Sequence, residues 1–176
     1  QLKDKAVSPE RRQLAKTGVL RSAYMLGNGE EVMLAATDLL AETKVAPELS
    51  NEAHYYRAKA YLDAGKVEGA MDDLKILAKD TRNIYGAEAK YKVAQIYFDA
   101  GQTEQAEKEV LDYIEVSTPH TYWLARSFVL LSDVYMKLGR NLDAKQYLLS
   151  LKQNYQADDD IAGMIESRLN KLNAEN

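Results

Sequence analysis

The chain has 176 residues, of which 46% are hydrophobic and 28% charged, the composition of a globular domain rather than of a disordered chain. A net charge of -4 and a pI near 5.3 argue against a nucleic-acid-binding protein. The absence of cysteine argues against disulfides and cysteine-ligated metal. No apolar run approaches the ~20 residues that span a bilayer, so no membrane-spanning segment is predicted.

Positive charge is concentrated at the start of the chain. Residues 1–21 contain six Lys or Arg against two acids, whereas the rest of the chain is acidic. This distribution predicts a basic outer face on the first helix, and contact with a membrane or an acidic partner is the alternative interpretation.

Three prolines stand where helices are expected to begin. The dipeptides Ser8-Pro9 and Thr118-Pro119 predict an N-cap followed by the first helical residue, and Pro47 marks a break between helices. No strand pattern occurs, so every periodic segment is assigned to a helix. The predicted helices span residues 9–26, 30–44, 48–64, 66–80, 85–100, 102–117, 119–138, 140–155 and 158–173.

The last of these segments has the pattern of a capping helix. Its apolar residues lie on one side, and we expect Glu166, Arg168 and Lys171 to form a polar outer surface over the last repeat. The run Asp158-Asp159-Asp160 lacks the spaced oxygens, glycine and terminal Glu of a calcium loop, so we interpret it as helix capping.

A pattern of Tyr, Gly and Ala recurs along the chain. A Tyr stands four residues before a Gly, and an Ala follows that Gly five residues later, at Tyr61, Gly65, Ala70; Tyr97, Gly101, Ala106; and Tyr135, Gly139, Ala144. Self-similarity every 36 and then 38 residues predicts an all-α solenoid of helix pairs, with each Gly in the turn between two helices.

The same register resembles the tetratricopeptide repeat (TPR) family. Small residues precede each Tyr by three positions, at Ala58, Ala94 and Ser132, and the second helices carry Ala-x-x-x-bulky pairs at Ala70/Leu74, Ala106/Val110 and Ala144/Leu148. The resemblance implies a right-handed α–α superhelix. It also implies a single domain over 1–176, with repeats at 9–44, 48–80, 85–117 and 119–155 and a capping helix at 158–173.

The first of these repeats is degenerate. Aligned on a spacing of 35, it puts Ala23 at the small position and Leu26 at the Tyr position, with Ala35 and Leu39 in the second helix. In this alignment the turn glycine is displaced to Asn28-Gly29.

Departures from the family pattern suggest a subgroup and a location. The family's early Trp position holds His54, Lys90 and Phe128, and an aromatic follows one residue later at Tyr55 and Tyr91. Together with the long repeats, this variant resembles TPR proteins of the bacterial envelope and implies a periplasmic location, with the cytoplasm as the alternative. Because the chain begins at Gln1 and ends in a capping helix, we expect the C-terminal piece of a longer array.

No cluster of residues suited to catalysis is visible. His54 and His120 fall in different repeats, and no phosphate-binding loop, nucleophile elbow or helix-borne His-Glu pair occurs. We expect no enzyme activity, no cofactor and no metal, and we expect His54 to be an interior or boundary residue.

In a TPR fold the first helix of each pair lines a concave groove, and residues one step round from the buried stripe point into it. This indexing predicts a partner-binding face of nine residues: Tyr24, Tyr55, Lys59, Leu62, Tyr91, Gln95, Phe98, Asp133 and Met136. The alternative is that several of them only seal contacts between adjacent first helices. Lys59 is matched by Gln95 and Asp133 rather than by further cations, which disfavours capture of a C-terminal carboxylate.

The sequence therefore favours a protein-interaction scaffold for a peptide or protein segment, as the resemblance also implies. A structural or self-associating repeat module, with residues 1–21 in its interface, is the alternative.

Overall fold

The computed structural model describes residues 8–174, and within them only helices and connecting turns occur. The nine helices of this part of the chain are α1 (Pro9–Met25), α2 (Gly29–Leu40), α3 (Pro47–Asp63), α4 (Val67–Leu77), α5 (Ile84–Asp99), α6 (Thr103–Glu115), α7 (Thr121–Lys137), α8 (Asn141–Asn154) and α9 (Ile161–Ala174). The predicted fold class, an all-α helical-repeat solenoid, is confirmed.

The helices form two compact units, the first ending at Leu77 and the second beginning at Ala78. In the first unit α1 packs on α2, α2 on α3 and α3 on α4. In the second unit α5 packs on α6 and on α7, α6 on α7 and α7 on α8, while α9 covers α7 and α8. Each unit is thus a stack of sequence-adjacent helices, as expected for a repeat protein.

The turns inside the helix pairs share one geometry. Each contains a glycine with φ between +68° and +75°, a conformation that only glycine adopts at little cost. The residue after this glycine donates its N–H to the carbonyl five residues earlier, which is the Schellman arrangement. These bonds run from Asn28 to Ala23, from Lys66 to Tyr61, from Gln102 to Tyr97 and from Arg140 to Tyr135.

This geometry corrects the register of the first repeat. Gly27, not Asn28-Gly29, is the turn glycine, and Ala23 therefore takes the place that Tyr61 has in the next pair. The starts of α2 and α4 agree, since Gly29 and Val67 are 38 residues apart rather than 35. Leu26, which the sequence alignment put at the Tyr position, is 83% exposed.

The sequence alignment failed because the first pair exchanges large and small residues. In the corrected register Leu20 replaces the small Ala58 and Ala23 replaces the large Tyr61, and both are buried. The second helix changes in the same way: Val32 replaces Ala70, and Ala36 replaces Leu74. The exchanged side chains still fill the interior. Because the large residue no longer stands at the usual position, an alignment on the repeated pattern is displaced by three residues.

Each later helix pair is joined by a contact between equivalent positions of its two helices. His54 Nδ1 lies 2.7 Å from Asp73 Oδ1, and Lys90 Nζ lies 3.1 Å from Glu109 Oε2. In the last pair the equivalent residues are Phe128 and Tyr147, with ring centroids 6.1 Å apart. The residue at the family's Trp position thus makes an ionic or aromatic contact with the second helix of its own pair. His54 is part-buried, as expected.

Several predicted helix ends are wrong. Ser8 is the N-cap of α1 as predicted, but Thr118-Pro119 does not start α7. The Thr118 hydroxyl instead donates to the Thr81 carbonyl at 2.8 Å and accepts from the His120 N–H, and the helix begins only at Thr121.

The other differences of about three residues or more concern α2, α4 and α9. α2 ends at Leu40, because the chain turns through Lys44 at φ +57°. α4 ends at Leu77, and the chain then leads to a buried Thr81 bonded to the Ser117 carbonyl. α9 begins at Ile161, since Asp159 accepts its N–H from outside the helix, a capping interaction.

Candidate functional site

The predicted partner-binding residues of the first unit lie side by side. The rings of Tyr24 and Tyr56 stack with centroids 4.0 Å apart and planes 14° from parallel, and Tyr55 lies 5.9 Å from Tyr56. Lys59 Nζ lies 5.4 Å from the centre of the Tyr55 ring. Tyr56, which the sequence did not single out as a site residue, therefore joins Tyr24 to the other two, and Leu62 is half-buried further along α3.

In the second unit Tyr91 is more buried than the sequence suggested, at 7% exposure. Its hydroxyl donates to Gln95 Oε1 at 2.9 Å and accepts from Arg126 Nη2 at 3.1 Å. The Arg126 guanidinium lies 5.1 Å from the centre of the Tyr91 ring, which adds a cation–π contact. Tyr91 and Gln95 thus belong to one polar network, which runs from buried Tyr91 through the part-buried Gln95 amide to exposed Asp99.

Sequence reasoning missed Arg126, although a signal was present. The equivalent position in the two preceding repeats holds Glu52 and Glu88. The sign of the charge therefore changes in the last repeat, where Arg126 lies against two aromatic rings, those of Tyr91 and Tyr122.

Three predicted residues, Phe98, Asp133 and Met136, meet in one cleft of the second unit. The cleft has a volume of about 550 Å³ and lies between the C-terminal parts of α5 and α7 and the middle of α9. We call it the α9 cleft, and define it by Phe98, Asp133, Met136, Lys137, Arg168 and Lys171.

The position of Arg168 corrects one sequence expectation. Arg168 was expected on the polar outer surface of the capping helix, but its guanidinium bonds both carboxylate oxygens of Asp133 at 2.7 Å. It also donates to the Met164 carbonyl at 3.1 Å. This bidentate pair attaches α9 to α7 and places Lys171, one turn further on, at the cleft. The apolar side of α9 is buried as predicted, through Ile161, Ile165, Leu169 and Leu172.

The α9 cleft is cationic in an acidic chain. Asp133 is matched by Arg168, whereas Lys137 and Lys171 are exposed and pair with no carboxylate among the described residues. The sequence comparison of Lys59, Gln95 and Asp133 found no additional cations because it considered one position on each first helix, whereas Lys137 lies one turn further along α7. The capping helix supplies Arg168 and Lys171 from outside the repeat pattern.

Two further clefts lie at the turns of the repeats. One of about 860 Å³ lies at the α5–α6 turn, lined by Tyr97, Gly101 and Gln102, and a smaller one of about 530 Å³ lies at the equivalent Tyr61, Gly65 turn. Because they recur at equivalent turns, we attribute both clefts to the geometry of the turn. Neither is lined by a predicted partner-binding residue.

A buried ionic network occupies the α3–α4 pair. Asp73, 1% exposed, accepts hydrogen bonds from Arg57 Nε at 2.9 Å and Arg57 Nη2 at 2.8 Å and contacts His54, while Arg57 also donates to the Thr37 hydroxyl at 2.9 Å. Burial alone disfavours the Asp73 charge, but the bonds from Arg57 and His54 outweigh it and hold the pKa of Asp73 below its ordinary value. The network joins α2, α3 and α4 and is structural.

Residues 8–174 contain neither a candidate metal site nor a candidate membrane span. No group of three or more His, Cys, Asp or Glu side chains could hold a metal ion there. No helix in the same range is long and apolar enough to cross a membrane.

Comparison with known proteins supports the fold. Two solved structures of nearly identical TPR-like repeats from Podosopora anserina, described as those of a kinesin light chain, are similar to this chain. One, a single-residue variant, has a TM-score of 0.59 at 15% identity, and the other has a TM-score of 0.56 at 16% identity. Each comparison covers 96% of both chains.

The chain therefore has a TPR-like repeat fold. No protein-family model and no curated protein sequence matches it. The similar structures carry no indication of a bacterial envelope protein, so that part of the sequence resemblance is unsupported.

Proposed function

We propose that the second unit binds a peptide or an extended protein segment in the α9 cleft, and that the segment carries an acidic residue next to a large apolar one. The observation that supports this proposal is the juxtaposition of half-buried Phe98 and Met136 with the unpaired cations Lys137 and Lys171. An apolar side chain of the segment covers the first two residues, and its carboxylate lies between the lysines.

The geometry divides the predicted residues into two groups. Phe98, Met136 and the two lysines have accessible surface and are the contact residues of the proposal. Tyr91 is buried and bonds Arg126 of α7, whereas part-buried Gln95 bonds Tyr91 and Asp99 within its own helix, α5. Because the Asp133–Arg168 pair fixes α9, the cleft is largely formed before binding, which lowers the entropy cost of association.

The test begins with a random peptide-display library selected on the full chain. The enriched peptide is then synthesised with a fluorophore, and its affinity is measured by fluorescence anisotropy. Enriched peptides are expected to contain Asp or Glu beside a large apolar residue. Phe98→Ala is expected to weaken binding by roughly 1 to 3 kcal/mol, about 5- to 150-fold.

The charged side of the cleft is tested separately. The double variant Lys137→Gln/Lys171→Gln is expected to lose roughly 2- to 30-fold in affinity, because each exposed ion pair contributes about 0.2 to 1 kcal/mol. It should also weaken the dependence of affinity on salt.

Matched controls lie outside the cleft. Lys79→Gln removes an exposed lysine of the second unit, and Leu149→Ala removes a large apolar side chain that is 47% exposed on α8. Both are expected to bind like the wild type. No enrichment of acidic peptides, or equal affinity of the Phe98→Ala and Leu149→Ala variants, contradicts the proposal.

The location of the protein stays a prediction of the sequence alone. The aromatic displacement and the repeat length favour the bacterial envelope, and the cytoplasm is the alternative. Fractionation of the native cells, with an antibody against this chain, distinguishes a periplasmic from a cytoplasmic protein.

A further inference from the structure

A second cation of α7, Arg126, lies outside the α9 cleft but on the same side of its helix as a residue of that cleft. Lys137 follows Arg126 by eleven residues, and three helical turns bring it back to within about 20° of the same side. At a rise of 1.5 Å per residue, the two positions are about 16 Å apart along α7. Tyr91 and Phe98 of α5 share one side in the same way, two turns apart. The surface that begins at the α9 cleft therefore continues along α5 and α7 to Arg126.

Two tyrosines fix the position of the Arg126 guanidinium. Arg126 Nη2 donates to the Tyr91 hydroxyl and Arg126 Nη1 to the Tyr122 hydroxyl, each at 3.1 Å. The centres of the two rings lie 5.1 and 5.9 Å from the guanidinium carbon. The Arg126 side chain is nevertheless 25% exposed. The cation is thus held in place by neutral groups and is still accessible from solvent.

The acid that faces Arg126 is held much less firmly than the acid of the α9 cleft. Asp160 precedes α9, and its Oδ2 lies 3.3 Å from both Arg126 Nη1 and the Tyr122 hydroxyl. In the cleft, by contrast, Arg168 bonds both oxygens of Asp133 at 2.7 Å. The two arginines are equally exposed, but Asp160 is 52% exposed and Asp133 only 23%. The Asp133–Arg168 pair is bidentate and fixed, whereas the Asp160–Arg126 contact is single, long and easily exchanged.

The ion pairing of the repeats does not require a cation at this position. The equivalent residues of the two preceding repeats are Glu52 and Glu88, and Glu88 pairs with Lys92 one turn further along α5. The α7 residue equivalent to Lys92 is Leu130, which is buried. Arg126 is therefore not the reversed half of a repeated ion pair, and its charge is available to another group.

We propose that Arg126 binds a second carboxylate of the segment that occupies the α9 cleft, and that this carboxylate displaces Asp160. The inference rests on the proposed function, because it extends the same bound segment along α7. An extended chain advances about 3.3 Å per residue, so the 16 Å between the two positions corresponds to about five residues. The segment therefore carries a second Asp or Glu about five residues from the acid that lies between Lys137 and Lys171.

The exchange is favoured by geometry. The Asp160 carbonyl accepts the Met164 N–H at 3.1 Å, which ties the Asp160 backbone to the first turn of α9. A carboxylate of the bound segment has no such tie, so both of its oxygens can approach the guanidinium, and bidentate pairs of this kind are the stronger ones. The displaced Asp160 side chain, already half exposed, returns to water at little cost.

A focused peptide-display library tests the spacing. Each peptide holds a fixed Phe-Asp pair at its centre, with randomised residues on both sides. Selection on the wild type is expected to enrich Asp or Glu about five residues from the fixed Asp, on one side only. Selection on Arg126→Gln is expected to lose that enrichment. No enrichment at this distance on the wild type, or the same enrichment on both proteins, overturns the inference.

Asp160→Asn supplies a test that keeps Arg126 and its bonds to the tyrosines. Because the variant removes the competing charge, it is expected to bind the enriched two-acid peptide about 2- to 5-fold more tightly than the wild type, the effect of one exposed ion pair. Asp158→Asn is the matched control, since Asp158 is exposed and pairs with no cation among the described residues. It should bind like the wild type at about 0.15 M salt, where charges are screened beyond about 8 Å.

A second peptide, with Asn in place of the second acid, separates direct contact from a structural role. The wild type, Arg126→Gln and Asp160→Asn are expected to bind it equally, although they differ towards the two-acid peptide. Equal affinities of Asp160→Asn and Asp158→Asn for the two-acid peptide contradict the inference, even if Arg126→Gln proves unstable by circular dichroism.

Phe98→Ala distinguishes failure of this inference from failure of the proposed function. If Phe98→Ala binds the two-acid peptide as the wild type does, the α9 cleft is not the binding site and both proposals are wrong. If Phe98→Ala weakens binding while Asp160→Asn and Arg126→Gln leave it unchanged, the α9 cleft binds the segment and only the second carboxylate site is wrong.

Discussion

Replacing Leu20 or Leu26 by Ala tests the register of the first helix pair. The sequence alignment puts Leu26 in the core of this pair, whereas the turn at Gly27 puts Leu20 there. Leu20 is fully buried, at 0% exposure, and Leu26 is 83% exposed. The two substitutions remove the same atoms only six residues apart, so their difference reports burial alone.

The expected magnitudes follow from that burial. Leu20→Ala loses the transfer free energy of the deleted groups and leaves a cavity between α1 and α2, a total of about 2 to 5 kcal/mol. Leu26→Ala is expected to change the free energy of unfolding by less than about 0.5 kcal/mol. For a unit of this size, the first change lowers the melting temperature by several degrees at least.

Urea unfolding followed by circular dichroism at 222 nm measures both variants, with intact wild type as the reference. Since two units are present, the transition of the first must be resolved, and the fluorescence of Trp123, which reports the second, separates them. Equal losses in the two variants, or a larger loss for Leu26→Ala, would refute the corrected register.

Three further substitutions test contacts inside the units. Tyr91→Phe is expected to cost about 1 to 3 kcal/mol because its hydroxyl makes two hydrogen bonds, whereas Tyr113→Phe should cost less than about 0.5 kcal/mol, since no hydrogen bond of good geometry reaches that buried hydroxyl. Equal costs of the two substitutions, measured by urea unfolding, contradict this difference between the two hydroxyls. The lowered pKa of Asp73 means that its ionised form stabilises the fold above about pH 4, the ordinary range of an Asp carboxyl, and that this contribution is lost as pH falls through the folded pKa. Asp73→Asn should therefore reduce the loss of unfolding free energy as the pH is lowered. A pH dependence equal to that of the wild type contradicts the network with Arg57. Ala94→Leu should destabilise by about 1 to 3 kcal/mol through overpacking of a position that is 1% exposed, and an unaltered unfolding midpoint rejects that assignment.

The parts of the fold that follow from local chemistry were predictable from the sequence. A glycine in the left-handed conformation ends each first helix, and in the last three repeats an Ala five residues later fits the crowded start of the second. Because these two requirements recur together in the last three repeats, Gly65, Gly101 and Gly139 established the fold class. The first repeat was harder to place because the large residue, Leu20, stands at the usual small position and the small residue, Ala23, at the usual Tyr position. The interior is still filled, but the sequence pattern of the repeat is lost.

The candidate site was predictable only in part. Residues one step round from the buried stripe were identified from helix geometry, and Phe98, Asp133 and Met136 do line one cleft. Arg168 and Lys171 were missed because α9 lies outside the repeat, and no repeat register relates it to α7. Arg126 contacts both the ring and the hydroxyl of buried Tyr91, a long-range contact that periodicity does not encode.

Methionine-methyl NMR tests binding in the α9 cleft most directly. The chain has five methionines, and when their methyl groups are labelled with carbon-13 each gives one assignable signal. Met136 lies in the cleft, and Met25 is highly exposed on α1 and serves as an internal control for non-specific contact. Addition of the library-selected acidic peptide is expected to shift the Met136 signal in proportion to bound peptide and to leave Met25 unchanged. A peptide that shifts Met25 and leaves Met136 in place would show that the partner binds elsewhere and would contradict the proposed function.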